Sequence, residues 1–368
     1  MTRLAYCLPA IIKRASRQQK YPGLPRFLQI FDLYGHWVLP VDRTSTVTFP
    51  IRTISHFPIP RFRTFTKSYE DICDDRAVHI LKKVDELGVT MYILYSGGID
   101  STCVMVSLLK HATRAQRENL VVLLSHESII ENPRFYEDHI KGKLRTGSSI
   151  TYPNLIGEDV YLLSAEHNDL IFGSDKIGKM IANFGQASVH RPYDRQLITR
   201  LYSEQLNDDL AAASYHVGLF EKIRATSPVP IETNMDFLWW TNFAIKWHAC
   251  YYYMLLFTPP GNAHKVTRDY LDSRFISFYN TDDFQLWSMN NLDKRIKDTW
   301  KTYKWPCKDI IYEYTKDADY RDHKTKKGSL LSLTGFNPPH YFIDEGLRFA
   351  TTLDPDSYLT PNNDYIAV

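Results

Sequence analysis

The stretch YILYSGGIDSTCVM, residues 92–105, decides how this chain is read. An apolar run, TMYILY from 90 to 95, stops at Ser96. Two glycines, an Asp and a Ser follow before the next apolar run. The unbroken run predicts a strand buried on both faces, as in a parallel sheet. DSTCVMVSLLKHA, which follows, predicts a helix. In such sheets ligands sit beyond the carboxyl ends of the strands. Gly97 and Gly98 would let backbone N–H groups turn toward an anion, and the helix N-terminus adds positive potential. Ser96 and Ser101 can donate to phosphate oxygens. Asp100 would repel a bare phosphate, but it fits if a Mg²⁺ bridges it to a pyrophosphate. The plainer alternative is a Gly-Gly turn with an Asp favoured by the helix dipole alone.

The pattern repeats on either side. NLVVLLS (119–125) and DVYLLSAE (159–166) predict two more buried strands. Ser68 followed by Asp71 forms a capping box for a helix whose Ile72, Ile80, Leu81, Val84 and Leu87 share one face, and Gly88 ends it. Strands alternating with helices predict an α/β fold, a parallel sheet with helical crossovers. From about residue 195 the pattern turns helical. Residues 1–66 break often at Pro and Arg and predict a small strand-rich N-terminal segment. The domain 67–335 then carries the sheet and the helical C-terminal part, and 336–368 is a tail.

Bulk properties agree with a folded chain of about two domains: 368 residues, 44% hydrophobic and 23% charged. A net charge of +2 disfavours nucleic acid as a partner, while leaving room for a local basic patch. The five cysteines are scattered and none forms a CxxC pair. That predicts a reducing, cytoplasmic setting without a disulfide frame or structural zinc. The N-terminal MTRLAYCLPAIIKRAS lacks the basic–apolar–small order of a cleaved signal. FLWWTNFAIKWHACYYYMLLF (237–257) is interrupted by Asn242, Lys246 and His248, and predicts a buried helix rather than a membrane span. Its aromatic residues could stack a planar substrate or simply fill a core. GSDKIGKM (173–180) nearly fits a Walker A loop, but Met180 stands where the Mg²⁺-binding hydroxyl belongs.

SGGIDS resembles the S-G-G-x-D-S signature of the PP-loop, or N-type, ATP pyrophosphatases, of the adenine nucleotide alpha hydrolase-like fold. LLSAEHNDLIFGSD (162–175) resembles the asparagine synthetase segment L-S-G-E-G-A-D-E-L-F-G. Leu163, Ser164, Glu166, Asp169, Phe172 and Gly173 match, while Ala165, His167, Asn168 and Ile171 depart. Lys324, Lys326 and Gly328 resemble its late R-x-K-x-G-F motif. HKVTRDYLDSRFISFYNTDDFQLW (264–287) is loosely similar to another of its segments.

The resemblance implies an AMP-forming ligase that activates a carboxylate as an acyl-adenylate and releases pyrophosphate. ATP and Mg²⁺ are its cofactors. Leu94, Ser96, Gly97, Gly98, Asp100 and Ser101 would bind the nucleotide. Asp100 and Asp169 would hold Mg²⁺. Glu166 would lie near the acyl group, and Lys326 would contact the pyrophosphate during reaction. The family's N-terminal glutaminase domain has no counterpart in the roughly 66 residues before Ser68. The expected partners are therefore a small-molecule carboxylate and ammonia or an amine donor, with glutamine used only through a separate glutaminase. Two alternatives stand beside this reading: a PP-loop enzyme that adenylates a nucleobase or tRNA, and a degenerate nucleotide-binding interaction protein.

Overall fold

The structure, a computed structural model, describes residues 3–7, 12–13, 21–34, 39–173, 175–327, 342–346, 349–350 and 354–366. The chain divides into two compact units. Arg63–Asn168 and Phe257–Pro338 form one; Met1–Phe62, Asp169–Leu256 and Pro339–Val368 form the other. The stretch 67–335 therefore contributes to both.

The first unit is built on a five-stranded parallel sheet. Its strands are β1 (Met91–Leu94), β2 (Leu120–Leu124), β3 (Arg145–Ser148), β4 (Tyr161–Ser164) and β5 (Phe275–Ser277), in the order β3-β2-β1-β4-β5. All neighbours are parallel. The chain leaves β1 toward β2 on one side, yet β4 lies on β1's other side. Such a reversal parts the loops of two adjacent strands and leaves a crevice at their carboxyl ends. The three strands expected from apolar runs are present. The short strands β3 and β5 are not foreshadowed. β3 reads RTGS and is mostly exposed, so an edge position leaves no apolar run to detect. β5 has three residues, below the length at which a period can be read.

Helix α1 (Tyr69–Leu87) begins at the Ser68–Asp71 capping box and ends at Gly88, whose φ of +64° only glycine adopts freely. Ile72, Ile80, Leu81 and Val84 are buried, the face expected from their spacing. Helix α2 (Ile99–His111) is buried from Ser101 to Leu109, so it has no amphipathic face. α3 (His126–Glu131) follows β2, and α4 (Trp305–Thr315) packs on both α1 and α2. α5 (Ala318–His323) packs on α4.

The second unit corrects the strand-rich expectation for residues 1–66. Its described N-terminal part holds one strand, Leu4–Cys7, the helix Leu24–Tyr34, and isolated bridges at Leu4–Thr53 and Ile51–Leu359. Leu4–Cys7 pairs antiparallel with Phe342–Asp344. The helix was masked by Pro25, which takes its first turn, where a missing N–H costs little. Phe27, Ile30, Phe31 and Tyr34 form its buried stripe. The segment 237–257 is helical and internal: every residue of Asn234–Ile245 is buried. Among the described residues no helix is long and apolar enough to cross a membrane. The near-Walker loop has a helix, Asn168–Phe172, before it and not a strand, so that motif lacks its required setting.

His216 lies fully buried in this second unit, with its Nε2 3.2 Å from Gln29 Oε1. Burial, reinforced by the Arg26 charge, pushes its pKa down to about 3. The unfolded chain then takes up a proton near the ordinary value of about 6.5 that the folded chain refuses. The stability tied to neutral His216 is present above that value and is lost as pH falls toward the folded pKa. Between pH 6.5 and pH 5 the loss is on the order of 2 kcal/mol. His216→Gln should flatten the acid limb of a urea-midpoint profile between pH 6.5 and 4. An unchanged limb would show that His216 titrates normally.

Candidate active site

The SGGIDS loop lies at the carboxyl end of β1, the central strand, with the loop after β4 on the adjoining strand. Leu94 closes β1 and is buried. Ser96 Oγ and Ser101 Oγ stand 3.0 Å apart. Ser96 N–H donates to Ser101 Oγ at 3.2 Å, and Gly98 N–H donates to Ser96 Oγ at 3.3 Å. These hydroxyls shape the turn. Gly98 is the N-cap of α2 and supplies no side-chain hydrogen bond there. A helix end left so offers N–H groups to an anion.

Gly97 is required by crowding. Its φ is +74°, and a Cβ on it would fall 2.3 Å from the Ser128 carbonyl oxygen and 3.0 Å from Glu131 Cβ. The loop thus lies directly on α3. Its other side is covered by α5, whose Tyr320 hydroxyl donates to the Gly97 carbonyl at 2.8 Å. Burial raises the Tyr320 pKa well above the ordinary range, which keeps the phenol protonated as a donor.

Asp100 is the centre of a polar cluster. Lys304 Nζ lies 2.7 Å from both of its carboxylate oxygens. Asn168 Nδ2 donates to Asp100 Oδ1 at 2.7 Å and reaches Cys307 Sγ at 3.3 Å. The Asn168 side-chain oxygen Oδ1 in turn accepts from the Tyr69 hydroxyl. The Tyr279 hydroxyl donates to the Asp100 carbonyl at 3.0 Å. Cys73, Cys103 and Cys307, far apart in sequence, meet beneath this cluster, and burial raises the pKa of Cys73 and Cys307. Buried protonated thiols of this kind pack like small apolar groups.

Three lysines converge here. Lys308 donates to the Lys301 carbonyl oxygen; burial first, and then the Lys324 ammonium, holds its pKa below the usual lysine range. Lys324 Nζ is 2.6 Å from Glu131 Oε1, with side-chain exposures of 9% and 2%. The Lys327 N–H donates to Glu131 Oε2 at 2.9 Å. Glu131 therefore fastens the lysine-rich segment 324–327 beside the glycine loop.

The residues expected from sequence are distributed as follows. Leu94, Ser96, Gly97, Gly98, Asp100 and Ser101 form the end of β1, the loop and the start of α2. Glu166 is half-buried on the loop after β4, and its carbonyl accepts from Ser277 Oγ at 2.8 Å. His167 adopts φ +79°, a conformation natural to the glycine that stands there in the resembled segment. Its ring is buried, with Nδ1 2.8 Å from Ser277 Oγ. Asp169 is exposed in the first turn of Asn168–Phe172 and opens the 169–256 segment of the other unit. Lys326 is exposed, whereas Lys324 is the lysine of that segment that is sequestered. Gly328 lies outside the described residues. Glu131, Asn168, Lys304 and Tyr320 carried no readable signal, because each acts through a partner tens to hundreds of positions away; Lys308 carried none either, because its burial is set by the tertiary packing.

Among the described residues no group of three or more His, Cys, Asp or Glu side chains is placed to hold a metal ion. The donor set does not suit an ion held by protein alone. It suits Mg²⁺ that arrives on a nucleotide, since Mg²⁺ keeps several waters and takes one or two carboxylates together with substrate phosphates. No family model, curated protein or solved structure matches this chain.

Proposed function

We propose that this chain is an AMP-forming, ATP-dependent ligase of the PP-loop kind, joining a carboxylate to ammonia or an amine through an acyl-adenylate. One observation carries the reading. The Ser-Gly-Gly-Ile-Asp-Ser loop occupies the reversal point of a parallel sheet, heads a helix without a side-chain cap, and has Lys304, Lys308 and Lys324 gathered about it. In the reaction a substrate carboxylate oxygen attacks the α-phosphorus of ATP and pyrophosphate leaves. The nitrogen then attacks the acyl carbon and AMP leaves. Helix N–H groups and the lysines would carry the charge that grows on the departing pyrophosphate. Asp100 would hold Mg²⁺, which neutralises phosphate charge when bound. Glu166 would face the acyl group from the adjoining loop.

A second reading has one feature in its favour. Trp300 is 39% exposed and stacks on Tyr303 at 4.4 Å, with the exposed Lys297 and Lys301 on the same segment. Such a platform suits a base of a nucleotide or RNA. The assay should therefore offer pooled carboxylates, amino acids, nucleosides and RNA, and follow pyrophosphate exchange and AMP. AMP and pyrophosphate are expected; ADP and orthophosphate would overturn the proposal. Lys326→Ala is expected to slow AMP formation without changing thermal stability or ATP affinity, the pattern of a cation that serves the reaction alone. An unchanged rate would remove Lys326 from the chemistry.

A further inference from the structure

We propose that Lys304 changes partner: it neutralises Asp100 in the ligand-free protein and moves to the phosphates when a pyrophosphate group binds. This rests on the phosphate-binding part of the function proposed above. The contact of Lys304 with both Asp100 oxygens at 2.7 Å is buried on the lysine side, whose side chain is 5% exposed. While it persists, a cation carried by a nucleotide meets an ammonium already seated on that carboxylate. Like charges held close in a poorly solvated place repel strongly. One of them must leave, and Lys304, on a flexible four-carbon stem, is the one that can swing without unfolding α2.

Two further observations favour exchange over a permanent ion pair. Lys304 is the N-cap of α4 yet has left-handed backbone, φ +60° and ψ 33°. The N-cap position prefers an extended Ser, Thr, Asp or Asn. A strained conformation of this kind is retained where the surroundings impose it, and such places cluster at functional sites. The second observation is the charge balance around it. Burial first, and then the nearby Lys324 and Lys304 ammonium groups, hold the Lys308 pKa below the usual lysine range. Lys304, Lys308 and Lys324 are each held by a fixed acceptor: Asp100, the Lys301 carbonyl and Glu131. Asp322, which also acts on Lys308, is paired with Arg321, so four cations stand against three carboxylates and leave an excess of positive charge that a polyanion at the α2 N-terminus would complete. Such an anion would sit next to Asp100. Transfer of Lys304 from the carboxylate to the anion puts the cation where new negative charge arrives. It also frees the Asp100 oxygens for a metal bound to that anion.

The test is a double-mutant cycle read by calorimetry, with inorganic pyrophosphate in EDTA as the probe. The proteins are wild type, Asp100→Asn, Lys304→Asn and the double variant. Asn is chosen at 304 because it tolerates left-handed backbone and caps helices. Asp100→Asn releases Lys304 and should tighten pyrophosphate binding about tenfold, and Lys304→Asn should weaken it about tenfold. In the Lys304→Asn background the Asp100 substitution should change affinity less than about twofold. Equal tightening in both backgrounds would mean simple removal of a negative charge and would overturn the exchange. So would unchanged affinity in Lys304→Asn. Should Lys304→Asn fail to fold, Asp100→Asn is compared with the double variant, in which no buried charge is left alone; equal affinities there would also overturn it. AMP formation is scored separately. Coupling without AMP would remove the reaction and keep the exchange, whereas AMP without coupling would do the reverse.

Discussion

Gly97→Ala is expected to abolish nucleotide binding and to lower the unfolding free energy by roughly 2–5 kcal/mol, while Gly98→Ala costs less than about 1 kcal/mol. The two glycines are neighbours in one motif, so the contrast isolates geometry from composition. At position 97 an alanine pays for left-handed backbone, about 1–2 kcal/mol. Its methyl also meets the Ser128 carbonyl oxygen at 2.3 Å, a contact with backbone that cannot be relieved by turning a side chain. The loop or α3 must shift, and the shift moves the N–H groups at the start of α2. At position 98 the backbone φ is −74°, which any residue adopts. The nearest atoms to an added methyl are Ser96 Oγ at 3.1 Å, a short side-chain end, and Glu131 Oε1 at 3.4 Å, an ordinary contact. Urea denaturation and ATP calorimetry on both variants decide the matter. Equal losses at 97 and 98 would mean that the loop is not seated on α3.

Glu131→Ala should cost about 3–5 kcal/mol, and most of that loss should return in Glu131→Leu/Lys324→Met. The pair is almost completely removed from water, so deletion of the carboxylate leaves an ammonium buried without its counter-ion. Removing both charges avoids that penalty, because an apolar pair of similar volume can replace a buried ion pair at little cost. Glu131 also accepts from the Lys327 N–H, so its loss should free the 324–327 segment from the glycine loop. Hydrogen exchange at the amides of 325–327 should accelerate in Glu131→Ala. Unchanged exchange there, with unchanged stability, would show that the segment is fastened by something other than this carboxylate. Glu131→Ala should also weaken nucleotide binding more than Lys326→Ala, because Lys326 is exposed and holds no part of the loop in place.

The sequence by itself determined what short-range physics controls. The apolar runs of β1, β2 and β4, the Ser68–Asp71 box, the Gly88 stop and the strand–loop–helix unit around SGGIDS are all local features. Each depends on residues within a few positions, and each is present in the fold. Asp100 was read as a Mg²⁺ ligand, because an acid at a helix start expected to receive phosphate calls for a bridging cation.

What only the tertiary structure decided is which side chains Asp100 and Glu131 meet within the fold. Lys304 is 204 positions from Asp100, and the lysine met by Glu131 is 193 residues further along the chain than Glu131 itself. No periodicity links such positions, because the sheet order and the packing of α4 and α5 bring them together. The same holds for the edge strand β3, whose exposure removes the apolar signal, and for the Leu24–Tyr34 helix, hidden behind Pro25. It holds for Lys324 over Lys326 as well. Both belong to one short lysine-rich run, and composition cannot say which of them turns inward. Burial against Glu131 makes that choice, since a charge leaves water only where an opposite charge waits for it.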